Sequence, residues 1–285
     1  MLGAIIGDIV GSRFEFDPHK SKEFNLFGED GLSRRKCRFT DDSVMTFAVA
    51  DALLSAPEGC DEKRLSAEFI YRFHLYGKEY PRAGYGERFF DWLCDNEVEP
   101  YGSYGNGSAM RVSPCAWYGK TLAECERLAR ISAAVTHNHP EGIKGAVATA
   151  GAIFLARTGK GKEEIRRYAE RFYPQAFEKT LDEIRPDYEH IETCQDTVPQ
   201  AFVAFCESRD FEDALRCAVS LGGDCDTLTC IAASIAEAYY GVPAEIAERA
   251  RTFLDDRLRS LLDDFRRRFV LPDGNPPAPK KIRRF

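Results

Sequence analysis

The chain has 285 residues, 44% of them hydrophobic and 30% charged, which is the composition of a globular protein long enough for one large core. A formal net charge of −7 argues against a broad basic footprint for duplex nucleic acid. Charges also interrupt every apolar stretch before the ~20 residues that a membrane span needs.

The hydrophobic period is helical almost from the start. Leu2, Ile5, Ile6 and Ile9 repeat at the spacing of one buried helix face, and Val44, Phe47, Ala48 and Leu54 resume that pattern. Further helices are expected over Leu65–Tyr76, Leu122–Ala134, Ile143–Ala156, Lys162–Phe172, Thr197–Cys206, Phe211–Leu221, Thr227–Tyr240 and Ala244–Phe269. Gly159–Gly161 and Gly241-Val242-Pro243 punctuate the joints. Alternating β-branched runs are missing, so the fold class is all-α.

Two stretches resist a helical reading, Phe14–Phe39 and the Gly/Tyr/Asn-rich Gly84–Ser113. Structureless loops of this length in compact domains are usually functional or disordered. No repeat or composition shift divides the chain. Residues 1–270 are read as one domain, and 271–285, LPDGNPPAPKKIRRF, as a flexible Pro-rich basic tail. The ten cysteines include no Cys-x-x-Cys pair, and no secretory leader precedes the first periodic segment. Reduced, structural cysteines in a cytoplasmic monomer are expected.

Chemistry concentrates at two acidic helix starts. FTDDS, Phe39–Ser43, sets Asp41 and Asp42 before one apolar helix, and GGDCDT, Gly222–Thr227, sets Asp224 and Asp226 before another. Each alone reads as helix capping. Together they offer Thr-Asp-Asp and Asp-x-Asp-Thr, and four carboxylates in one buried place repel unless a cation neutralises them. Oxygen ligands without His or Cys select hard ions such as Mg²⁺, Mn²⁺ or Ca²⁺.

Three further segments, GAIIGDIVGSRFE at Gly3–Glu15, SYGNGSAMRVSP at Ser103–Pro114 and THNHPEG at Thr136–Gly142, join these two in an order that resembles the ADP-ribosylglycohydrolases. The resemblance covers roughly the first 240 residues. The resemblance implies a compact orthogonal helical bundle with the active site in a central cleft. It implies two Mg²⁺ (or Mn²⁺) ions, one ligand triplet being Thr40, Asp41 and Asp42 and the other Asp224, Asp226 and Thr227. Glu15 matches a glutamate carried on a mobile flap, which would be Phe14–Phe39. Gly102, Ser103, Tyr104, Gly105 and Asn106 match the loop that cradles the diphosphate and adjoining ribose of ADP-ribose, and His137 a histidine near the distal ribose.

The implied reaction is metal-dependent hydrolysis of the C1″ glycosidic bond of ADP-ribosylated protein, releasing ADP-ribose, with Glu15, Asp41 and Asp224 as the catalytic carboxylates. Glu15 points to an O-linked substrate, serine or ribose. An arginine-linked substrate, a two-metal nucleotide phosphohydrolase and a silent ADP-ribose-binding protein stand as alternatives. Whether Glu15 or a metal-bound aspartate is the general base stays open. Among neighbours, His139 is read as structural, Tyr104 ahead of Tyr101 as the adenine-stacking ring, and Arg111 as half of a structural ion pair ahead of a phosphate contact.

Overall fold

Every fourth residue of the first helix's inner edge, Gly3, Gly7 and Gly11, is a glycine, and this spacing decides how the molecule is assembled. In the computed structural model, which describes residues 1–28, 30–95 and 98–270, that helix is α1 (Leu2–Gly11), buried along its whole length. A Cβ on Gly3 would fall 2.3 Å from the carbonyl oxygen of Ala233, on Gly7 2.3 Å from that of Thr229, and on Gly11 2.5 Å from that of Cys225. All three carbonyls belong to the helix that starts at Cys225. The two helices therefore run antiparallel in direct backbone contact, with the end of α1 against the start of its partner.

The remaining helices wrap this pair. They are α2 (Asp41–Ser55), α3 (Glu62–Glu79), α4 (Glu87–Cys94), α5 (Gly107–Met110), α6 (Ser113–Tyr118), α7 (Leu122–Ala134), α8 (Pro140–Arg157) and α9 (Lys162–Glu170). The chain continues through α10 (Leu181–Ile184), α11 (Cys194–Glu207), α12 (Phe211–Leu221), α13 (Cys225–Tyr240), α14 (Ala244–Arg251) and α15 (Asp256–Phe265). Helices α8, α11 and α12 pack on α13, α7 packs on α8, and α3 packs on α2. No strand occurs among the described residues, only an isolated bridge between Gly105 and Thr193. The fold is all-α, and among the described residues no helix is long and apolar enough to cross a membrane. Each fully buried phenylalanine of this core, such as Phe47, Phe69 and Phe202, contributes roughly 1.5–3 kcal/mol.

Two expectations are corrected, and a third lies outside the described residues. The single helix over Ala244–Phe269 is two, because Asp255 starts a new one: its carboxylate accepts the Leu258 N–H at 2.9 Å and the Tyr80 hydroxyl at 2.7 Å. A π-helical turn, Arg266–Val270, then ends the described chain, so the expected tail at 271–285 lies outside the described residues. The Gly84–Ser113 stretch contains α4 and α5, with Phe89, Trp92 and Leu93 forming a short buried face on α4.

Phe14–Phe39 has no helix, yet it is fastened to the body. Arg13 and Asp30 pair at 2.7 and 2.8 Å. Lys20 donates to the carbonyls of Tyr188 and Leu221, and Arg216 to those of Lys22 and Phe24. Phe14, Phe24, Leu26 and Cys37 are buried beneath it.

Candidate active site

The glycine contact of α1 with α13 sets the geometry of the acids. It puts the turn after Gly11, which carries Glu15, beside the first turn of α13, which carries Asp226. Consecutive left-handed glycines, Gly222 at φ 69° and Gly223 at φ 71°, turn the chain from α12 into Asp224, the N-cap of α13. At the neighbouring helix start, Thr40 caps α2 and its side chain accepts the Asp42 N–H.

Carboxylate oxygens of Glu15, Asp224 and Asp226 lie within 4.8 Å of one another, and so do those of Asp8, Asp42 and Asp226. Asp226 belongs to both groups. Mutual repulsion and burial show in their protonation. Burial first, then Asp226, pushes the Glu15 carboxyl up to about 8. Burial raises Asp224 to about 7, against the pull of its hydrogen bonds. Asp41, Asp42 and Asp226 are pushed well above the usual carboxylate range, by burial and then by acidic neighbours.

The donor set fits a hard divalent cation. It is oxygen only, with spacings compatible with the ~3–4 Å between octahedral ligands at ~2.1 Å from Mg²⁺. Asp42 Oδ1 is buried and has no hydrogen-bond partner among the described residues, while Asp42 Oδ2 accepts the Thr227 hydroxyl at 3.2 Å. A buried carboxylate oxygen without a donor costs free energy that a cation recovers.

Asp8 was not singled out in the sequence reading. Its oxygens are already saturated: Oδ1 accepts from the Thr40 hydroxyl at 2.7 Å, and Oδ2 from the Thr40 N–H at 2.9 Å, the Ser43 N–H at 3.1 Å and the Ser43 hydroxyl. Burial raises this carboxyl to about 6 despite those bonds. Asp8 therefore positions the start of α2 from α1. The signal was a lone acid within an apolar helical run.

Glu15, Asp41, Asp42, Asp224 and Asp226 line a cleft of about 510 Å³, and Asp8 lies outside its lining. Ser103, Gly105 and Asn106 form part of the facing wall, with His137 behind. The Asn106 side-chain amide donates to Asp224 Oδ2 at 2.7 Å and to the Thr197 hydroxyl at 3.0 Å, tying the loop to the acids. The Asn106 N–H donates to the Glu192 carbonyl at 3.0 Å and the Cys194 N–H to the Tyr104 carbonyl at 3.0 Å, so the loop is zipped to the lead-in of α11. Gly102 and Gly105 also use their N–H groups internally, on Asn138 Oδ1 and Ser103 Oγ. The N–H groups of Ser103 and Tyr104 have no partner among the described residues and remain as donors.

His137 is buried, with Nδ1 2.8 Å from the Thr136 hydroxyl and Nε2 beside Gly105 and Gly107. Burial, and then Arg111 and Arg88, hold the imidazole well below its usual pKa, hence neutral.

Not every expected residue reaches the cleft. Thr40 is buried on Asp8, behind the wall. Gly102 sits outside the lining, and Tyr104 is exposed, meeting His139 edge-on at 5.3 Å. Of the two tyrosines, Tyr101 is the one that lines the cleft. His139 caps α8 by accepting the Glu141 N–H. Arg111 forms no ion pair among the described residues: it donates to the Ser132 carbonyl and the Thr136 hydroxyl, both at 2.8 Å, and stacks over Phe73. Its setting offers neutral acceptors only, and burial lowers its pKa to about 10. The ten cysteines are all free thiols.

Known proteins share this arrangement of sequence and fold. The ADP-ribosylhydrolase ARH3 of Homo sapiens is 28% identical, over 85% of this chain and 84% of that protein. The ADP-ribosylarginine hydrolase Tri1 of Pseudomonas putida (strain GB-1) is also 28% identical, over 87% of this chain and 72% of its own length. A solved ADP-ribosylglycohydrolase-related protein complex superposes a chain with TM-score 0.68 at 25% identity, covering 93% of this chain and 96% of that one. The family model described as ADP-ribosylglycohydrolase matches residues 1–275. The chain belongs to the ADP-ribosylglycohydrolase family.

Proposed function

We infer that this protein hydrolyses the C1″ glycosidic bond of ADP-ribosylated proteins and releases ADP-ribose, using two Mg²⁺ (or Mn²⁺) ions. Asp41, Asp42, Asp224, Asp226 and Thr227 would hold the ions, and Thr40, which does not line the cleft, would steady Asp42 instead. The observation that supports this most is the convergence of Glu15 with Asp224 and Asp226 in a cleft faced by the Ser103–Asn106 loop.

Bound Mg²⁺ supplies Lewis-acid polarisation of the oxygens it holds. The protein's own groups do the rest. The free N–H groups of Ser103 and Tyr104 donate hydrogen bonds to the diphosphate oxygens. Neutral His137 hydrogen-bonds a ribose hydroxyl without adding charge. The carboxylates stabilise the positive charge that develops on the ribose as the bond breaks. Glu15, on the cleft beside Asp224 and Asp226, would move the proton between water and the departing oxygen.

Glu15 favours an O-linked substrate, serine or ribose. Arginine-linked ADP-ribose is the second reading, favoured by the similarity to Tri1. The test incubates the protein, with Mg²⁺ or with EDTA, against serine-linked and arginine-linked ADP-ribosyl peptides. Free ADP-ribose released only with metal is the expected result, and the preferred peptide names the linkage. AMP as the product would mean a phosphohydrolase, and no release from either peptide would overturn the reading.

A further inference from the structure

A second cavity of about 390 Å³ lies behind the lip of the cleft. Its walls are apolar, built by Phe39, Tyr80, Pro81 and Phe253, with Arg38 and Arg82 beside them. The two cavities share a wall. Ala83 lines the apolar one and Gly84 the acidic one, and the Ala83 carbonyl accepts the N–H of Asp41 at 3.2 Å. The Arg38 guanidinium reaches over this wall: a Cβ on Gly84 would lie 4.0 Å from Arg38 Nη2 and 3.4 Å from Asp41 Oδ1.

Charge at this lip is unbalanced. Arg38 and Arg82 are both exposed, and neither guanidinium has a carboxylate within ion-pair distance among the described residues. Asp255, the acid nearest to Tyr80, already accepts from Tyr80 and Leu258. Arg35 extends the positive edge, stacked over Phe16, which is 58% exposed and lines the cleft next to Glu15. Arg35, Arg38 and Arg82 thus gather exposed positive charge around an apolar recess, and Arg38 and Arg35 also face Glu15 across the lip.

We propose that this apolar cavity and its arginines bind the polypeptide part of the substrate, taking an apolar side chain next to the modified residue together with an adjacent Asp or Glu. The inference rests on the reading of the cleft as an ADP-ribosyl site. On that reading Glu15 and Asp41 stand at the bond to be cleaved, and the cavity begins one residue away, across Ala83 and Gly84, within reach of the departing residue. An extended peptide reaches from the cleft over Gly84 into the cavity within two or three residues. Apolar burial in the hole supplies affinity, and the arginines select acidic neighbours over basic ones.

The test uses the full chain and peptides bearing ADP-ribose through a non-hydrolysable triazole link, with binding followed by calorimetry beside free ADP-ribose. A peptide with a Leu-Glu flank is expected to bind about tenfold more tightly than free ADP-ribose, and a Gly-Lys flank no more tightly. The Arg38→Ser/Arg82→Ser variant is expected to lose the tenfold gain and to bind free ADP-ribose as the wild type does. A gain that survives in the variant, or that is equal for both flanks, overturns the proposal. Failure of free ADP-ribose to bind wild-type protein overturns the cleft reading itself, and the inference falls with it.

Discussion

Gly11 of α1 lies so close to Asp226 of α13 that a Cβ at position 11 would stand 2.6 Å from the Asp226 Cα. The residue common to both carboxylate groups is thus braced, backbone against backbone, by the helix that delivers Glu15. Gly11→Ala should force the two helices apart, costing about 3 kcal/mol of stability. It should also reduce turnover by more than the folded fraction accounts for. Denaturant unfolding and an assay of the folded protein, run side by side, check both.

Asp226→Asn keeps the shape and removes one charge from both groups. ADP-ribose release should fall at least about 100-fold. Mg²⁺ should stabilise the wild type by mass action, about 2.7 kcal/mol at a hundred times the dissociation constant, and leave the variant unmoved. In EDTA the variant should be no less stable than the wild type, because it relieves repulsion among buried acids. Thermal unfolding with Mg²⁺ and with EDTA reads out all of this, and an equal Mg²⁺ shift in the two proteins would contradict the assignment.

Asn106→Ala removes the amide that aims Asp224, leaving that carboxylate without its donor from the loop. Metal affinity is expected to drop about 10–100-fold, as for other groups that orient a ligand. Calorimetric titration with Mg²⁺ measures it.

Asp30→Asn tests how the Phe14–Phe39 segment is held. The Arg13 guanidinium keeps the Asp30 carboxyl well below the usual range, so the pair stabilises fully above about pH 4 and loses that contribution as the pH falls further. At pH 7 the variant should lose about 2–3 kcal/mol, less than for a fully buried pair because Asp30 is partly exposed. Unfolding followed from pH 7 to pH 3 should show the wild type converging on the variant.

Much of this was written in periodicity and punctuation. The all-α class and most helix spans follow from the 3.6-residue apolar repeat, and the acids at Asp41, Asp42, Asp224 and Asp226 stand out because charge at an apolar helix start is conspicuous. That they meet in space was not legible, since a repeat describes a face and not its partner. The stripe of Gly3, Gly7 and Gly11 was the overlooked clue: glycines four apart on a buried helix announce another backbone in contact. The sequence put Tyr104 ahead of Tyr101, whereas Tyr101 lines the cleft, because residues three apart in an irregular loop have no fixed facing. The break between α14 and α15 hid for an energetic reason, the amphipathic pattern continuing across it while Asp255 supplies a local cap.

The acids at the head of α13 and of α2 stand at the positive ends of two long macrodipoles, each equivalent to roughly half a unit charge. That field favours ionised carboxylates and opposes an arriving cation. A cation held at this centre would therefore be bound less tightly than the four acids alone would bind it.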